Sequence, residues 1–371
     1  MKKVRMMFKM LCQHVIFPIV YFFNRLRPVD KKLIILADSH HNDCPEHMIY
    51  IRRMLMKSDY RIEECFFDVN SIGKWEALKK MIGFMAMYAT AHAVVICDYF
   101  LPVASCNKKK KTKVIQLWHG CGAFKKFGYN SFEDIPEKYV GNVHKNYSLV
   151  TVSGEDAVKH FETAMILGAE NVIKPIGISY TDRLYDEDYI ELCKDKFRFE
   201  YPDATGKKIV LWAPTFRGEP KKKKRRKDQV DMLPGETYVD MLMQDERYYV
   251  IKSLHPHMHK KNPMTSSELL CCTDVLITDY SSIFFEFLLM DKPIIFFAAD
   301  YGEYNASRGL YLDYKSLPGI VLTLDTDLRP HVKSALEQDQ FGEQRADFRE
   351  RFMSACDGCA TKRIVDYITN K

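Results

Sequence analysis

The sequence predicts an α/β protein made of two doubly wound, Rossmann-like domains that face a cleft. Three observations predict it. The chain has 371 residues, more than one ordinary core needs and enough for two domains of about 100–200 residues. From residue 33 a unit repeats in which a short apolar, β-rich run ends at a polar or Gly-containing turn and leads into a helical pattern. That repeat is the signature of a parallel sheet covered by helices. The repeat pauses at residues 201–208 (YPDATGKK), where Pro, Asp and Gly mark a linker, and then starts again.

Residues 1–32 come before the repeat and read differently. They hold eight basic residues against one acid, Asp30, and carry at their centre LCQHVIFPIVYFF (11–23), thirteen mostly apolar residues broken by Gln13, His14 and Pro18. A spanning helix needs about 20 apolar residues, and no small-residue cleavage site follows. A short, basic, aromatic-rich segment instead suits the headgroup layer of an anionic bilayer, so peripheral attachment to the cytoplasmic face of the plasma membrane is expected. The competing reading is an ordinary helix packed on the first domain.

In the first domain, taken as 33–205, strands are expected at 33–37, 61–68, 93–97, 113–118, 149–153 and 172–176. Helices are expected at 74–91 and 155–167, the latter opened by a capping box of Ser153 and Asp156. In the second domain, 206–371, strands are expected at 209–214, 248–253, 274–278, 293–298 and 319–322. Helices near 235–245, 281–290 and 328–337 separate them, with the last helix of the chain free to cross back. Such sheets bind ligands at the carboxyl ends of their strands. Neither GxGxxG nor a P-loop occurs, which argues against ordinary NAD-binding and ATPase functions.

Composition excludes other classes. With 47% hydrophobic and 28% charged residues, and only 17 Gly and 15 Pro, the chain is neither disordered nor collagen-like. Its net charge of +6 is unevenly placed: residues 1–32, the run at 108–113 (KKKKTK) and 221–227 (KKKKRRK) hold 20 of the 55 basic residues, and the rest is net acidic. The patches suit polyanions or a membrane surface. A nucleic-acid-binding protein is the alternative from another class, but KKKKRRK lacks interleaved aromatics, so no nucleic acid is expected as a partner. Eleven cysteines without regular spacing read as reduced thiols, and Cys356–x–x–Cys359 has no second pair to complete a zinc site.

Four clusters at strand-to-loop boundaries carry the chemistry. In QLWHGCGAFKK (116–126), His119 ends a strand beside a Gly-containing turn and can take a proton from an attacking hydroxyl. WAPTFRG (212–218) offers the Arg217 guanidinium to phosphate oxygens. KSLHPHMH (252–259) alternates three histidines. Without a nearby carboxylate to complete a metal set, His255 and His257 read as phosphate ligands, and no metal is expected. In TDYSSIFFE (278–286), a buried strand enters a helix through Asp279, Ser281 and Ser282, an anion site without a glycine loop, and Glu286 one turn on can meet a ribose. A base in one half and anion ligands in the other describe transfer from a nucleotide diphosphate donor to a hydroxyl.

WHGCGAFKKFG, APTFR, HPH, TDVLITDYSSIFFEF, KPIIFF and RGLYLDY, in this order across roughly residues 90–315, resemble the CDP-glycerol glycerophosphotransferase family, the bacterial teichoic acid primases and polymerases. The resemblance implies a GT-B fold and attack by an acceptor hydroxyl on the glycerol-linked phosphorus of CDP-glycerol, or of CDP-ribitol, with release of CMP and no other cofactor. It implies that His119 is the base, that His255, Ser281 and Ser282 bind the donor phosphates, and that His255 steadies the departing CMP. Arg308, in RGLYLDY, joins the donor side. The implied acceptor is a lipid-linked saccharide or a polyol-phosphate polymer of the cell wall or a capsule. A capsule polysialyltransferase-like GT-B glycosyltransferase is the close alternative, separated by whether donor phosphorus enters the product.

Overall fold

The computed structural model describes residues 2–131, 134–135, 141–167, 172–215, 233–254 and 262–370, with side chains from Met7 onward. The chain divides into two compact units. Unit 1 comprises Met1–Gly120, Gly128–Asp182 and Ser354–Lys371; unit 2 comprises Cys121–Phe127 and Arg183–Met353.

Unit 1 is built on a parallel sheet of β1 (Asp30–Asp38), β2 (Arg61–Phe66), β3 (Ala91–Ile96), β4 (Lys113–Gln116), β5 (Leu149–Thr151) and β6 (Ile173–Lys174), in the order β2-β1-β3-β4-β5-β6. Each run expected from sequence is a strand. From Leu33 to Asp38 every residue of β1 is buried, as in a sheet covered on both faces, where strands read as unbroken apolar runs. Ile34, Leu36, Val95, Ile115 and Leu149 pack into one core with Ile364 and Ile368 of the helix Ala360–Thr369.

Unit 2 repeats the plan with β7 (Lys208–Ala213), β8 (Tyr248–Lys252), β9 (Val275–Thr278), β10 (Ile294–Phe297) and β11 (Ile320–Leu322), all parallel, in the order β11-β10-β9-β7-β8. Helices Glu236–Met243, Ile283–Leu288 and Leu328–Glu337 lie where the sequence places them.

Three details of the layout differ from the plan drawn from sequence. The units divide at Asp182/Arg183, not at 205/206. The helix Glu187–Glu200, capped by Asp186, belongs to unit 2, where Lys196 pairs with Glu268 at 2.8 Å; the Pro-Gly segment 201–208 holds a short 3-10 turn, Pro202–Ala204, and ends at the first residue of β7. The N-cap of the helix Glu155–Met165 is not the expected Ser153. Gly154 stands at its N-cap with φ −169° and no side-chain cap bond. The segment 1–32 falls within unit 1: β1 already starts at Asp30, and the helical stretch before it buries Phe17 and Tyr21.

That stretch runs as helix from Lys2 to Asn24, with a π-helical turn at Cys12–Ile16 just before Pro18. Proline has no N–H and its ring crowds the preceding turn, so local widening of the ladder there has a steric cause. The Tyr21 ring lies 5.3 Å from that of Tyr88 in a tilted arrangement, and its hydroxyl accepts a bond from the Lys109 N–H at 2.9 Å. The remaining face is apolar and exposed. By length and composition, Met7–Asn24 also qualifies as a membrane-crossing helix, longer than the thirteen residues the sequence singles out.

Candidate functional site

In unit 1 the neighbouring strands β1, β3 and β4 end side by side, and their carboxyl ends deliver Asp38, Asp98 and His119 to one edge of the sheet. His119 lies three residues past β4 and is about half exposed, with Nδ1 3.8 Å from Asp98 Oδ2. His40, past β1, places its Nε2 at the same distance from the same oxygen. Asp38 is buried; its Oδ1 accepts from the His40 and His41 N–H groups at 2.8 and 2.9 Å and lies 2.9 Å from His41 Nδ1.

The turn bearing His119 is held by Gln116, which is fully buried. Its Nε2 donates to the Asp98 carbonyl at 3.1 Å and to the Tyr147 hydroxyl at 3.2 Å, and its Oε1 accepts from the Trp118 N–H at 3.0 Å. Trp118 has φ +61°, a left-handed conformation that costs a bulky residue about 1–2 kcal/mol. Its ring stacks on His119 at 4.5 Å and meets Phe161 edge-on at 5.5 Å. Strain of this kind persists only where the surroundings over-determine it, and here it turns His119 out of the strand. Sequence reasoning singled out His119 but not Asp98, His40 or Gln116, which the structure brings beside it. The signal was present in part: each lies at or just past the end of an expected strand.

Beneath this edge sits His144, 4% exposed, with Nδ1 3.5 Å from the Tyr147 hydroxyl and no hydrogen-bond partner for Nε2. Burial pushes its pKa down to about 4, although the charge of Asp98 opposes the shift.

In unit 2 the end of β9 is the counterpart. Asp279 is buried, and its Oδ1 accepts from the Thr215 N–H at 2.7 Å and from the Tyr280 N–H, so it ties the loop after β7 to the loop after β9. The Tyr314 hydroxyl donates to the Asp279 carbonyl at 3.2 Å. Ser281 and Ser282 are half-buried. The Ser281 hydroxyl accepts from Ile283 N–H at a long 3.4 Å, and the Ser282 side chain makes no cap bond, so helix capping accounts for little of Ser282. Glu286 is buried one turn on, its Oε2 3.5 Å from the Ser267 hydroxyl. Arg308 ends the helix Tyr301–Ser307, whose Tyr304 stacks flat on Tyr280 at 3.7 Å. Arg217, His255 and His257, and the basic run 221–227, lie outside the described residues.

The structure also explains why two of the motifs occur together. WHGCGAFKK is shared between the units: Trp118–Gly120 belongs to unit 1, and Cys121–Phe127 to unit 2. There the Lys126 N–H donates to the Gly309 carbonyl at 3.2 Å and the Tyr311 N–H to the Phe124 carbonyl at 2.8 Å, a short antiparallel pairing with RGLYLDY. Phe124 packs edge-on to Phe284 at 5.2 Å, on the helix that follows the two serines.

Comparison with known proteins agrees with these motifs. The chain is 31% identical over 374 residues to the teichoic acid poly(ribitol-phosphate) polymerase of Bacillus spizizenii, which covers 95% of this chain and 58% of that protein. It is 30% identical over 371 residues to the teichoic acid ribitol-phosphate primase of the same organism, covering 93% of this chain and 92% of the primase. Among solved structures it resembles the wall teichoic acid polymerase TagF, with a TM-score of 0.75 at 22% identity over 95% of this chain and 92% of that one. At that identity the likeness is one of fold, and the fold is the two-sheet α/β arrangement of GT-B proteins. The sequence model of one transferase family matches residues 19–370, and the chain belongs to that family, the CDP-glycerol:poly(glycerophosphate) glycerophosphotransferases.

Proposed function

We propose that this chain is a membrane-associated polyol-phosphate transferase that moves glycerol phosphate or ribitol phosphate from a CDP-polyol to a hydroxyl of a lipid-linked or polymeric acceptor, in the synthesis of a teichoic acid or a capsule-type polymer. The observation that carries the reading is His119, half exposed at the carboxyl end of a parallel strand and flanked by a carboxylate, in a chain of this family. The acceptor oxygen attacks the polyol-linked phosphorus, and His119 takes the hydroxyl proton. The bond from that phosphorus to the bridging oxygen breaks, and CMP leaves with the electron pair. Such transfer depends on positioning and on stabilising charge, which preorganised donors supply. Ser281 and Ser282, with Arg217, His255, His257 and Arg308, are assigned to the donor phosphates, and Glu286 to the ribose. Asp279 holds the Thr215 N–H, two residues before Arg217 in sequence.

Membrane attachment is assigned to the N-terminal helix on the cytoplasmic face. Leu11, Val15, Ile19, Phe22, Phe23 and Leu26 form an exposed apolar row, Leu26 at 80% and Phe23 at 68%. Beside it, Lys109 donates through Nζ to the Arg27 carbonyl, so the basic run at 108–113 meets the basic end of the helix. Burial, and then the nearby charges of Arg25 and Arg27, lower the pKa of Lys109. Apolar side chains beside clustered cations fit an anionic bilayer surface.

The test is CMP release by purified protein given CDP-glycerol or CDP-ribitol, with and without lipid-linked acceptor, following donor phosphorus into product. Acceptor-dependent CMP with phosphorus in the product, lost by orders of magnitude in His119→Ala at unchanged donor affinity, is the expected result. Product without donor phosphorus would transfer the case to the glycosyltransferase reading.

A further inference from the structure

Asp98 stands between two imidazoles and is bound into the fold by a residue that also shapes the His119 turn. Its Oδ2 is 3.8 Å from both His119 Nδ1 and His40 Nε2, while its Oδ1 accepts from the Tyr99 N–H at 2.6 Å. Gln116 grips the Asp98 carbonyl and the Trp118 N–H with one carboxamide. The distance between the carboxylate and the ring is thus set by a buried side chain and not by surface loops alone. Trp118, left-handed at φ +61°, stacks on one face of the His119 ring.

We propose that Asp98 is the positioning residue of His119. It holds the ring as the Nδ1–H tautomer, leaves Nε2 to take the acceptor proton, and stabilises the positive charge that develops on the imidazole. The inference rests on the reading of His119 as the base. At 3.8 Å the pair is in ion-pair reach but longer than a hydrogen bond, a looseness usual for catalytic groups without substrate. A carboxylate facing one ring nitrogen decides which nitrogen carries the proton, and removing it elsewhere costs turnover chiefly through the wrong tautomer. His40 reaches the same oxygen and competes for it. Asp38 holds the His40 and His41 N–H groups but directs its own carboxylate toward His41 and Cys97, and among the described residues Asp98 is the acid within ion-pair reach of His119.

The experiment is nitrogen NMR of the full chain labelled at histidine, in alkaline buffer where imidazoles are neutral, with the His119 signals assigned by their loss in His119→Gln. Nδ1–H in the wild type, changing to Nε2–H in Asp98→Ala and persisting in His40→Ala, is the expected result. In parallel, Asp98→Asn is expected to lose kcat by about 10²–10⁴-fold with KM for the CDP-polyol within a few-fold. Asp98→Asn retains an oxygen for the Tyr99 N–H, so it serves where Asp98→Ala does not fold. Nε2–H in the wild type, or an unchanged kcat in Asp98→Asn while His119→Ala is inactive, overturns the proposal. Full activity of His119→Ala would overturn the assignment of the base instead, and the NMR result would still decide whether Asp98 sets the tautomer.

Discussion

Gly122 has φ +61°, and a Cβ built there would stand 2.3–2.4 Å from three atoms of the Phe285 ring. No L side chain fits, so the residue is what allows Cys121–Phe127 to lie against the helix Ile283–Leu288. Gly122→Ala combines a left-handed backbone with overpacking and is expected to destabilise by about 2–5 kcal/mol, read as a lower denaturation midpoint. Gly83 gives the opposite sign. It lies inside the helix Lys74–Tyr88, exposed, with nothing within 4 Å of its Cβ position, so Gly83→Ala is expected to raise stability by about 1 kcal/mol. His144 makes a third residue-scale case. Its folded pKa of about 4 lies below the ordinary value for histidine, so the unfolded chain binds the proton more tightly. Its contribution is full above pH 6.5 and is lost as pH falls from there toward 4. Replacing it with Phe or Gln is expected to flatten the acid limb of a stability-against-pH curve in that window. None of this was legible in the sequence: GCG marks a turn there, but not the ring that excludes a side chain, and nothing next to His144 reports its burial.

At the scale of elements the sequence was far more readable, because a strand buried on both faces must be an unbroken apolar run. VVI in β3, VLIT in β9 and IIFF in β10 are such runs, and each became a strand. The helix caps were less legible, since Ser153 and Asp156 have capping-box chemistry but Gly154 adopts the N-cap geometry. The His119 surroundings escaped for a different reason. Asp98, His40 and His119 lie far apart in sequence and meet only because β1, β3 and β4 are neighbours in the sheet. The N-terminal helix divides its two faces cleanly, and this gives a prediction. Phe22→Ser, Phe23→Ser and Leu26→Ser together are expected to abolish flotation with anionic vesicles while leaving the fold unchanged, because those side chains touch little of unit 1. Phe17→Ala and Tyr21→Ala are expected to lower the stability of unit 1 instead, by about 3–5 kcal/mol for the phenylalanine. Equal vesicle binding by the triple variant would take the membrane role away from this face.

On the scale of the whole molecule, the chain leaves unit 1 at Asp182 and returns to it at Ser354, so the sheet that carries His119 is covered by a helix from far along the chain, Ala360–Thr369. Asp182 marks the junction chemically. Its two carboxylate oxygens accept from the Ala360 and Thr361 N–H groups at 3.0 and 2.7 Å, satisfying donors at the start of the final helix. Further along, His92 Nε2 lies 2.9 Å from the Ile368 carbonyl, the Tyr367 hydroxyl donates to the Ser148 carbonyl at 2.8 Å, and Lys113 Nζ donates to Asn370 Oδ1 at 2.6 Å. Ile364 and Ile368 fill the core against Ile34, Val95 and Ile115. A chain ending at Met353 would therefore lose these bonds and expose a face of the first sheet, a loss of several buried apolar side chains at about 1.5–3 kcal/mol each. The expected outcome is a protein whose unit 1 amides exchange rapidly with deuterium, with β1, β3 and β4 losing protection together. Ile364→Ala in the full chain should give a graded version, a loss of about 2–5 kcal/mol seen as a lower denaturation midpoint. Retained protection of β1 and β4 in the truncated chain would mean that the first sheet forms without its closing helix, and that the C-terminal return is attached to unit 1 without stabilising it.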